Sequence, residues 1–399
     1  MATRGLLVAA MAICVAACSP FGGGGYSCER DDQCSGGTCS AGFCSVTDSS
    51  CSSGLRYGDS AGGLSNTCVA GPIDANIDSK EFHDAPPPGV TCFGTGFGKT
   101  CFARVPSAPM TLDAQQINTD SSLLCATKVE TNPPWCVIAA SDLKINAGTL
   151  SAIGNKPLVL LATGTMTIDG SIDVASQRGG QQGAASNDPL QCDAGTPPGN
   201  NGGGAGGSFG GVGGHGGNGG GVPGATKPTN AMRGGCPGQD GKSGTFGVKG
   251  LGGGVVYLIA GTKITLGGNI NASGAGGSAG VTGSAGAGGG GSGGLIGLDS
   301  PMVTNGGAIF ANGGGGAEGS GLTSKGNDGT ESVNGAVADV SGSASTIGGD
   351  GGAGGASGAA TNGADGTGGG GGGGGGGVGA VKLFQAASIT GGVVSPPPS

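Results

Sequence analysis

The chain has 399 residues, of which 101 are glycine, and only 4% of its residues are aromatic. This composition lies between that of a globular domain and that of a low-complexity chain, and it argues against one large close-packed core. The 17 Lys and Arg residues and the net charge of −8 exclude a nucleic-acid-binding function, because phosphate binding needs a basic face and the sequence contains no Lys/Arg cluster.

The N-terminus has one basic residue followed by a short apolar run that ends at a cysteine. Arg4 precedes an apolar run over residues 5–17, which matches a secretory signal and is too short for a spanning helix. The run ends in VAAC, which resembles the bacterial lipobox and implies cleavage before Cys18 and acylation of that residue. We therefore predict a lipoprotein signal peptide over residues 1–17, a lipid anchor at Cys18 that contacts the membrane, and a tether over residues 18–27. An ordinary signal peptide that ends near a cysteine is the alternative.

The serine that follows the lipobox cysteine favours the outer membrane under the usual sorting pattern of such proteins. Of the fourteen cysteines, Cys14 lies in the signal and Cys18 is the lipidation residue. The other twelve form an even set, which indicates disulfides in an oxidising compartment. Proximity in the sequence favours the pairs Cys92 with Cys101, Cys125 with Cys136, and Cys192 with Cys236.

Six further disulfide candidates cluster near the N-terminus, and six cysteines allow 15 connectivities, so their pairing stays open. These residues are Cys28, Cys34, Cys39, Cys44, Cys51 and Cys68. A zinc site is the alternative for CSGGTCSAGFC, but export and the presence of only two histidines favour disulfides. We predict a disulfide-rich module over residues 28–68, an acidic and proline-rich linker over 69–91 and a main body over 92–399, with no metal or cofactor.

The main body contains an internal repeat. The stretch LVLLATGTMTIDGSIDVAS at residues 158–176 returns as VYLIAGTKITLGGNINASG at 256–274. The two copies align without a gap at every large apolar position. The aligned residues include Leu160 with Leu258, Leu161 with Ile259, Met166 with Ile264, Ile168 with Leu266, and Ile172 with Ile270. Val256 aligns with Leu295 in a third copy at 295–313, and a fourth copy occupies 380–396. A weaker copy starts at Val137 after a one-residue adjustment, and APMTLDAQQINTDSSLLC is an eroded first copy.

Each copy contains an apolar run, a TMTI-like alternation, a glycine-containing turn and a second alternation. Alternation with a period of two and enrichment in β-branched residues predict strands. Three short strands in each repeat are the signature of a β-solenoid, in which stacked copies bury one continuous column of apolar side chains. We therefore predict an all-β fold, a small parallel β-solenoid of five to six coils. A β-sandwich of tandem hairpins is the alternative.

Long glycine-rich insertions interrupt the repeat near residues 177–254, 275–294 and 314–379. All three enter at the same point of the repeat, which predicts that they emerge from one corner of the solenoid. Glycine loses the most conformational freedom on ordering, and these tracts contain few apolar residues to offset that cost. Two states stay open: disordered tracts, or extended left-handed glycine helices that lie side by side and satisfy each other's backbone groups.

Two patterns suggest catalytic or nucleotide chemistry. The GTGFGKT sequence at residues 94–100 resembles a phosphate-binding loop, but Phe93 stands where that pattern needs glycine. Asp169, Asp173 and Asp299 are candidates for the paired carboxylates of a glycosidase or lyase. Other copies replace Asp169 and Asp173 by glycine and asparagine, which favours turn residues. We predict no catalytic residue.

The lipobox, SCSSGLRYG, PLVLLATGTMTIDGSID, GGGAGGSFGGVGGHGG, VVYLIAGTKIT and IFANGGGG together resemble uncharacterised glycine-rich secreted lipoproteins of myxobacteria that carry a PE-PGRS label. That label follows glycine content, and this chain lacks the helical N-terminal domain of the mycobacterial family of that name. The resemblance implies export and this architecture, and no activity.

From these features we expect a non-enzymatic structural or adhesive lipoprotein, anchored at the outer membrane or cell surface. Extracellular polysaccharide or other cell-surface proteins are its expected partners. A carbohydrate-active β-helix enzyme, either a polysaccharide lyase or a glycosidase, is one alternative function. The other is a partner-binding module formed by residues 28–68.

Overall fold

The computed structural model describes residues 28–34, 37–51, 53–69, 90–125, 134–188, 192–332, 347–386 and 388–399. The predicted signal peptide, Cys18, the tether and most of the linker lie outside these residues. The chain divides into two compact units, residues 1–85 and 86–399. Within the described residues, no helix has the length and apolar character needed to cross a membrane.

The smaller unit is a disulfide-bonded antiparallel sheet. Its strands are β1 (Thr38–Ser40), β2 (Phe43–Thr47) and β3 (Leu55–Tyr57), with short 3-10 helices at Asp31–Gln33 and Gly62–Leu64. The disulfides are Cys28–Cys39, Cys34–Cys44 and Cys51–Cys68. Among the described residues of this unit, the buried apolar cluster consists of Tyr57, Ala61 and Val69, so cross-links must supply much of the stability. The zinc alternative requires free cysteine thiolates, whereas these sulfur atoms are paired in disulfide bonds.

The larger unit is built almost entirely of short strands. In chain order they are β4 (Thr91–Phe93), β5 (Thr100–Phe102), β6 (Met110–Leu112), β7 (Gln115–Asn118), β8 (Cys136–Ala140), β9 (Leu143–Ile145), β10 (Thr149–Ile153), β11 (Leu158–Ala162), β12 (Thr165–Ile168), β13 (Ser171–Asp173), β14 (Val255–Ala260), β15 (Lys263–Leu266), β16 (Asn269–Asn271), β17 (Leu295–Ser300), β18 (Val303–Asn305), β19 (Ala308–Phe310), β20 (Ala380–Gln385), β21 (Ile389–Thr390) and β22 (Val393–Ser395). A 3-10 helix spans Leu123–Cys125.

Strands β6 to β22 form three parallel sheets that run alongside one another. Sheet 1 has the order β8-β11-β14-β17-β20, sheet 2 the order β6-β9-β12-β15-β18-β21, and sheet 3 the order β7-β10-β13-β16-β19-β22. Consecutive strands of the chain therefore belong to different sheets, and each set of three forms one level of a column. This all-β arrangement is consistent with a parallel β-solenoid. The predicted register between Leu160 and Leu258 and between Ile172 and Ile270 is confirmed by the pairing.

Two details differ from the sequence prediction. Val255, rather than Val256, lies opposite Leu295, because the connection from β17 to β18 is one residue shorter than that from β14 to β15. The first level has only β6 and β7 and no strand in sheet 1, because the preceding chain forms an antiparallel hairpin of β4 and β5 instead. Strand β4 begins at Thr91, which the sequence placed in the linker.

Strands β8, β11, β14 and β17 of sheet 1 are buried on both faces, which explains the unbroken apolar run at the start of these copies, whereas β20 at the end of the sheet is partly exposed. Leu160 and Leu258 point into the column, whereas Val159, Leu161 and Tyr257 belong to a second cluster on the outer face. The hairpin of β4 and β5 contributes Phe102 to that outer cluster. Most strands of sheets 2 and 3, such as β12 and β13, instead alternate between buried and more exposed residues, so one face of each of these strands meets solvent; β19 is buried throughout.

Candidate functional site

The three glycine-rich insertions leave the column from one corner. Each follows a strand of sheet 3 and ends at a strand of sheet 1: the first joins β13 to β14, the second β16 to β17 and the third β19 to β20. No described residue of these insertions belongs to a helix or an extended strand. Many of their described backbone groups are nevertheless paired, by hydrogen bonds within and between the insertions. We call this assembly the glycine bundle.

Residues 286–294 lie at the centre of the glycine bundle. Their successive amides donate to three different neighbouring segments, and every third amide returns to the same neighbour. The bonds run from Gly286 to Lys242, Gly289 to Gln239 and Ser292 to Cys236; from Ala287 to Gly371, Gly290 to Gly374 and Gly293 to Gly377; and from Gly288 to Ser278, Gly291 to Ala275 and Gly294 to Ala272. The carbonyl groups accept from three more segments, at 247–253, 204–207 and 314–317. A threefold extended helix produces this period.

Glycine is required in the bundle because the backbones touch. A Cβ added at Gly291 would overlap the carbonyl oxygen of Leu251, and one added at Gly373 would overlap that of Gly288. Residues 370–379 repeat the central arrangement, with amides donating to segments 311–320, 201–207 and 361–364. Of the two states that the sequence left open, the described tracts take the ordered one.

The outer ends of the glycine bundle carry exposed apolar side chains. At about 3.1 Å per residue, the limb from Ala272 to Thr282 extends roughly 30 Å from the column before the chain turns back. Three turns meet there, since the amide of Val281 donates to Thr245 and the amide of Gly283 donates to Leu322. Phe246, Val281 and Leu322 are 46%, 36% and 69% exposed. We call these three side chains the distal patch.

The three candidate acids have separate structural roles. Asp169 is exposed and pairs with Lys144 of the neighbouring level, with 3.1 Å between Oδ2 and Nζ. Asp173 is half-buried, and its Oδ1 accepts a hydrogen bond from the Ala175 amide at 2.9 Å. Burial raises the pKa of Asp173, and this hydrogen bond opposes the shift.

Asp299 is completely buried in β17 and holds the loop of the β4–β5 hairpin against sheet 1. Its Oδ2 accepts from the amides of Thr95 and Gly96 at 2.8 and 2.9 Å, and from the hydroxyl of Tyr257 at 3.1 Å. Its Oδ1 accepts from the Thr95 hydroxyl at 3.2 Å and from Gln385 Nε2 at 2.6 Å. Burial, with the charge of Asp299 beside it, raises the pKa of Tyr257 well above its usual value.

The loop that resembles a phosphate-binding sequence therefore binds a carboxylate of its own chain. Two of its backbone amides point at one oxygen of Asp299, and Phe97 packs against Tyr257 and Phe384 with ring centroids 5.3 and 5.2 Å apart. Sequence reasoning missed this role. The available signal was an acid in an otherwise apolar first strand, at the position that pairs with Ile259.

The main body contains three disulfides, Cys92–Cys101, Cys125–Cys136 and Cys192–Cys236. The first crosses the β4–β5 hairpin, the second ties the 3-10 helix to β8, and the third closes a loop within the first glycine insertion.

The chain was compared with protein-family models, with curated proteins and with solved structures, and none of them matches it.

Proposed function

We propose that this chain is an exported, non-enzymatic lipoprotein, anchored through acylated Cys18 at the outer membrane or cell surface, that displays the glycine bundle to extracellular polysaccharide or other cell-surface proteins. In this proposal the β-solenoid is a stiff support, and the insertions all emerge at one corner so that they form a single binding surface.

The observation that carries the proposal is the packing of the glycine bundle. Backbone hydrogen bonds join each central segment to neighbours on every side, so the tracts can hold a fixed shape without a hydrophobic core of their own. A fixed shape keeps Phe246 and Leu322 exposed instead of letting them collapse onto the column. Exposed apolar groups held at the end of a rigid extension are typical of an interaction surface.

The cysteine chemistry supports export. Twelve cysteines are joined in six disulfides, and such density is characteristic of secreted and envelope proteins rather than of reducing compartments. The sequence of the first eighteen residues supports lipid anchoring, since acylation of a cysteine after a short signal attaches a protein without a spanning helix.

A non-enzymatic role is favoured because Asp299, one of the three acids considered for catalysis, is covered by the hairpin and accepts five hydrogen bonds. The carbohydrate-active alternative is tested by replacing Asp169 and Asp173 with alanine and measuring the cleavage of matrix polysaccharide. Cleavage that depends on either residue would replace this proposal. Deletion of residues 28–68 followed by partner capture tests the module alternative.

Lipid anchoring and display are tested in cells that express the full chain. With Cys18→Ala, incorporation of a labelled fatty acid should be abolished and the protein should leave the outer-membrane fraction. Cys14→Ala, which changes a cysteine of the signal itself, is the matched control and should keep both. Digestion of intact cells with protease should remove the bundle. Labelling that survives Cys18→Ala, or a protease-resistant bundle in intact cells, would contradict the proposal.

A further inference from the structure

A cavity of about 520 Å³ lies at the corner of the column where the insertions emerge. One wall comes from Trp135 and from Pro157 in the turn between β10 and β11, and the other from two parts of the first insertion that include Asp188 and Arg233. The volume falls within the range of about 300–1,000 Å³ that is usual for small-molecule sites.

The apolar side of the cavity contains the only tryptophan of the chain. Trp135 is half-buried and packs against the outer cluster of sheet 1, so its ring is fixed in position. Pro134, Pro157 and Met232 extend the same apolar lining. A rigid aromatic face of this kind suits a ligand with one face of C–H groups and polar groups at its rim.

The polar side of the cavity contains a fixed cation and an acid. Arg233 is 8% exposed, its Cζ lies 5.1 Å from the centroid of the Phe209 ring, and its Nη2 lies 3.8 Å from Cys236 Sγ. Burial lowers the pKa of Arg233, and the charge of Asp188 opposes that shift. A guanidinium group and a carboxylate that line one cavity offer donors and acceptors to neighbouring hydroxyl groups.

The two insertion segments are held together covalently. The Cys192–Cys236 bond joins the chain just after Asp188 to the chain just after Arg233. Asn187 forms two further hydrogen bonds with neighbouring backbone groups. Its backbone N–H donates to the carbonyl oxygen of Gly235 at 3.0 Å, and its side-chain Oδ1 accepts from the backbone N–H of Gly252 at 2.7 Å. A wall fixed in this way needs little ordering on binding, which favours affinity.

From this arrangement we propose that the cavity binds one pyranose ring of a polysaccharide, with the ring face on Trp135 and adjacent hydroxyls on Asp188 and Arg233. A pyranose has the required C–H face and polar rim, and one or two rings fit the volume. The inference rests on the proposed function, because it assigns a site for the polysaccharide partner of the displayed protein.

The lone tryptophan makes the test specific, since fluorescence excited at the red edge of the absorption band, where tyrosine does not absorb, comes from Trp135 in this cavity. Glucose, galactose, N-acetylglucosamine and glucuronate are the probes, and sorbitol, an acyclic polyol with similar hydroxyl groups, is the control ligand. We expect a saturable change with at least one pyranose and none with sorbitol. Asp188→Asn should weaken that binding about tenfold, as expected for loss of a charged hydrogen bond. Asp169→Asn, at another corner of the column, should leave it unchanged.

Joint replacement of Cys192 and Cys236 by serine should also weaken binding, with the fluorescence of the free protein used to check that Trp135 stays packed. Absence of a saturable response to all four sugars, by fluorescence and by calorimetry, would overturn the proposal. So would an equal response to sorbitol, or equal affinities for Asp188→Asn and the unaltered chain. If the protein is lipidated and displayed but binds no pyranose, only the proposed sugar site is refuted. If the Cys18 experiment fails, the proposed function is refuted, and the sugar titration still tests whether the cavity binds a pyranose.

Discussion

The hydroxyl of Tyr257 donates to Oδ2 of Asp299 at 3.1 Å, and both side chains are fully buried between sheet 1 and the hairpin loop. The same oxygen accepts from the amides of Thr95 and Gly96. This one carboxylate accepts hydrogen bonds from side chains of β14 and β20 and from a loop about two hundred residues earlier in the chain. It thereby attaches the β4–β5 hairpin, which covers the outer face of sheet 1, to the column.

Asp299→Ala should loosen this cover. It leaves the hydroxyl of Tyr257, a fully buried residue, without an acceptor, and it removes the acceptor of the amides of exposed Thr95 and half-buried Gly96. A buried unsatisfied group costs about 1–3 kcal/mol and water can partly replace the acceptor of the loop amides, so we expect a loss of about 2–3 kcal/mol in the free energy of unfolding. Asp299→Asn should cost less, because its amide oxygen can still accept from the loop and its NH₂ group can donate to the Gln385 oxygen after that amide rotates. Urea unfolding, with hydrogen exchange at Thr95 and Gly96, measures both.

The control for that experiment is Asp169→Ala, which removes an exposed ion pair with Lys144 and should cost less than about 1 kcal/mol. Equal losses for Asp169→Ala and Asp299→Ala would show that the buried carboxylate does not hold the hairpin.

Gly291→Ala should disrupt the glycine bundle. The added Cβ would overlap the backbone oxygen of Leu251, and a backbone atom within a packed bundle cannot move aside cheaply. We expect destabilisation by at least about 2 kcal/mol, measured by thermal unfolding. Gly358→Ala is the matched control, because no atom lies within 4 Å of a Cβ there, and it should be neutral or slightly stabilising. Similar melting temperatures for the two variants would argue against close backbone packing.

Asp173→Asn should make stability less dependent on pH. The folded state holds the Asp173 proton more tightly than the unfolded state, since burial raises its pKa. Its contribution to stability is therefore complete below the unfolded pKa and is lost as the pH rises through the folded pKa. Asparagine does not ionise, so it removes this loss of stability at higher pH. It can also keep the hydrogen bond of the turn, because Asn271 on the next level accepts from the Ser273 amide as Asp173 accepts from the Ala175 amide.

We expect Asp173→Asn to be more stable than the unaltered chain at neutral pH, with the difference shrinking towards acid. Unfolding midpoints measured across the acid range would show this convergence. A difference that grows as the pH falls would contradict the direction assigned to the Asp173 pKa.

The Cys192–Cys236 bond should contribute more than the Cys92–Cys101 bond. Their sequence separations are 44 and 9, for which loop-closure entropy gives about 4.0 and about 2.6 kcal/mol. Paired serine substitutions at each site, compared by urea unfolding of oxidised protein, measure the two contributions. A larger loss at Cys92–Cys101 would mean that hairpin docking, rather than loop entropy, controls stability.

The distal patch should affect adhesion and not folding. Phe246→Ser and Leu322→Ser together should reduce attachment of displayed protein to polysaccharide or to cells, while changing the free energy of unfolding by less than about 0.5 kcal/mol for each exposed side chain. Met302→Ser is the control, because Met302 is 54% exposed but lies on the column between β17 and β18. Attachment that falls equally with Met302→Ser would remove the special role of the patch.

The stacked strands could be predicted from the sequence because their side chains repeat in register. Leu160 and Leu258 occupy equivalent inward positions on successive levels, as their gapless alignment predicts. The next level was predicted one residue out of register, because only the pairing shows that Leu298 lies opposite Leu258. The cover over sheet 1 could not be predicted, because outward residues such as Val159 and Leu161 indicate that something buries them without indicating which segment does so.

The sequence left ordered, side-by-side glycine helices as one of two open states, but it could not predict which segments of the glycine bundle lie beside one another, nor could it predict the cavity. Backbone hydrogen bonds determine which segments lie beside Gly288 and Gly373. Because glycine has no side chain, the sequence of these tracts does not indicate which segments those are. The cavity brings Trp135 to Arg233 through the path of an insertion, and neither residue belongs to a motif. For this insertion the sequence predicts the pairing of Cys192 with Cys236, but it does not indicate that the paired segments line a cavity.

The threefold period of the bundle has a consequence for how such a protein can evolve. An out-and-back pair of limbs, such as the one that turns near Gly283, keeps its hydrogen bonds in phase only when each limb gains or loses whole turns of three residues. We therefore expect natural variants of these tracts to differ in length by six residues per out-and-back pair of limbs, and single-residue insertions to be rare. The length of the glycine bundle would then change in fixed steps.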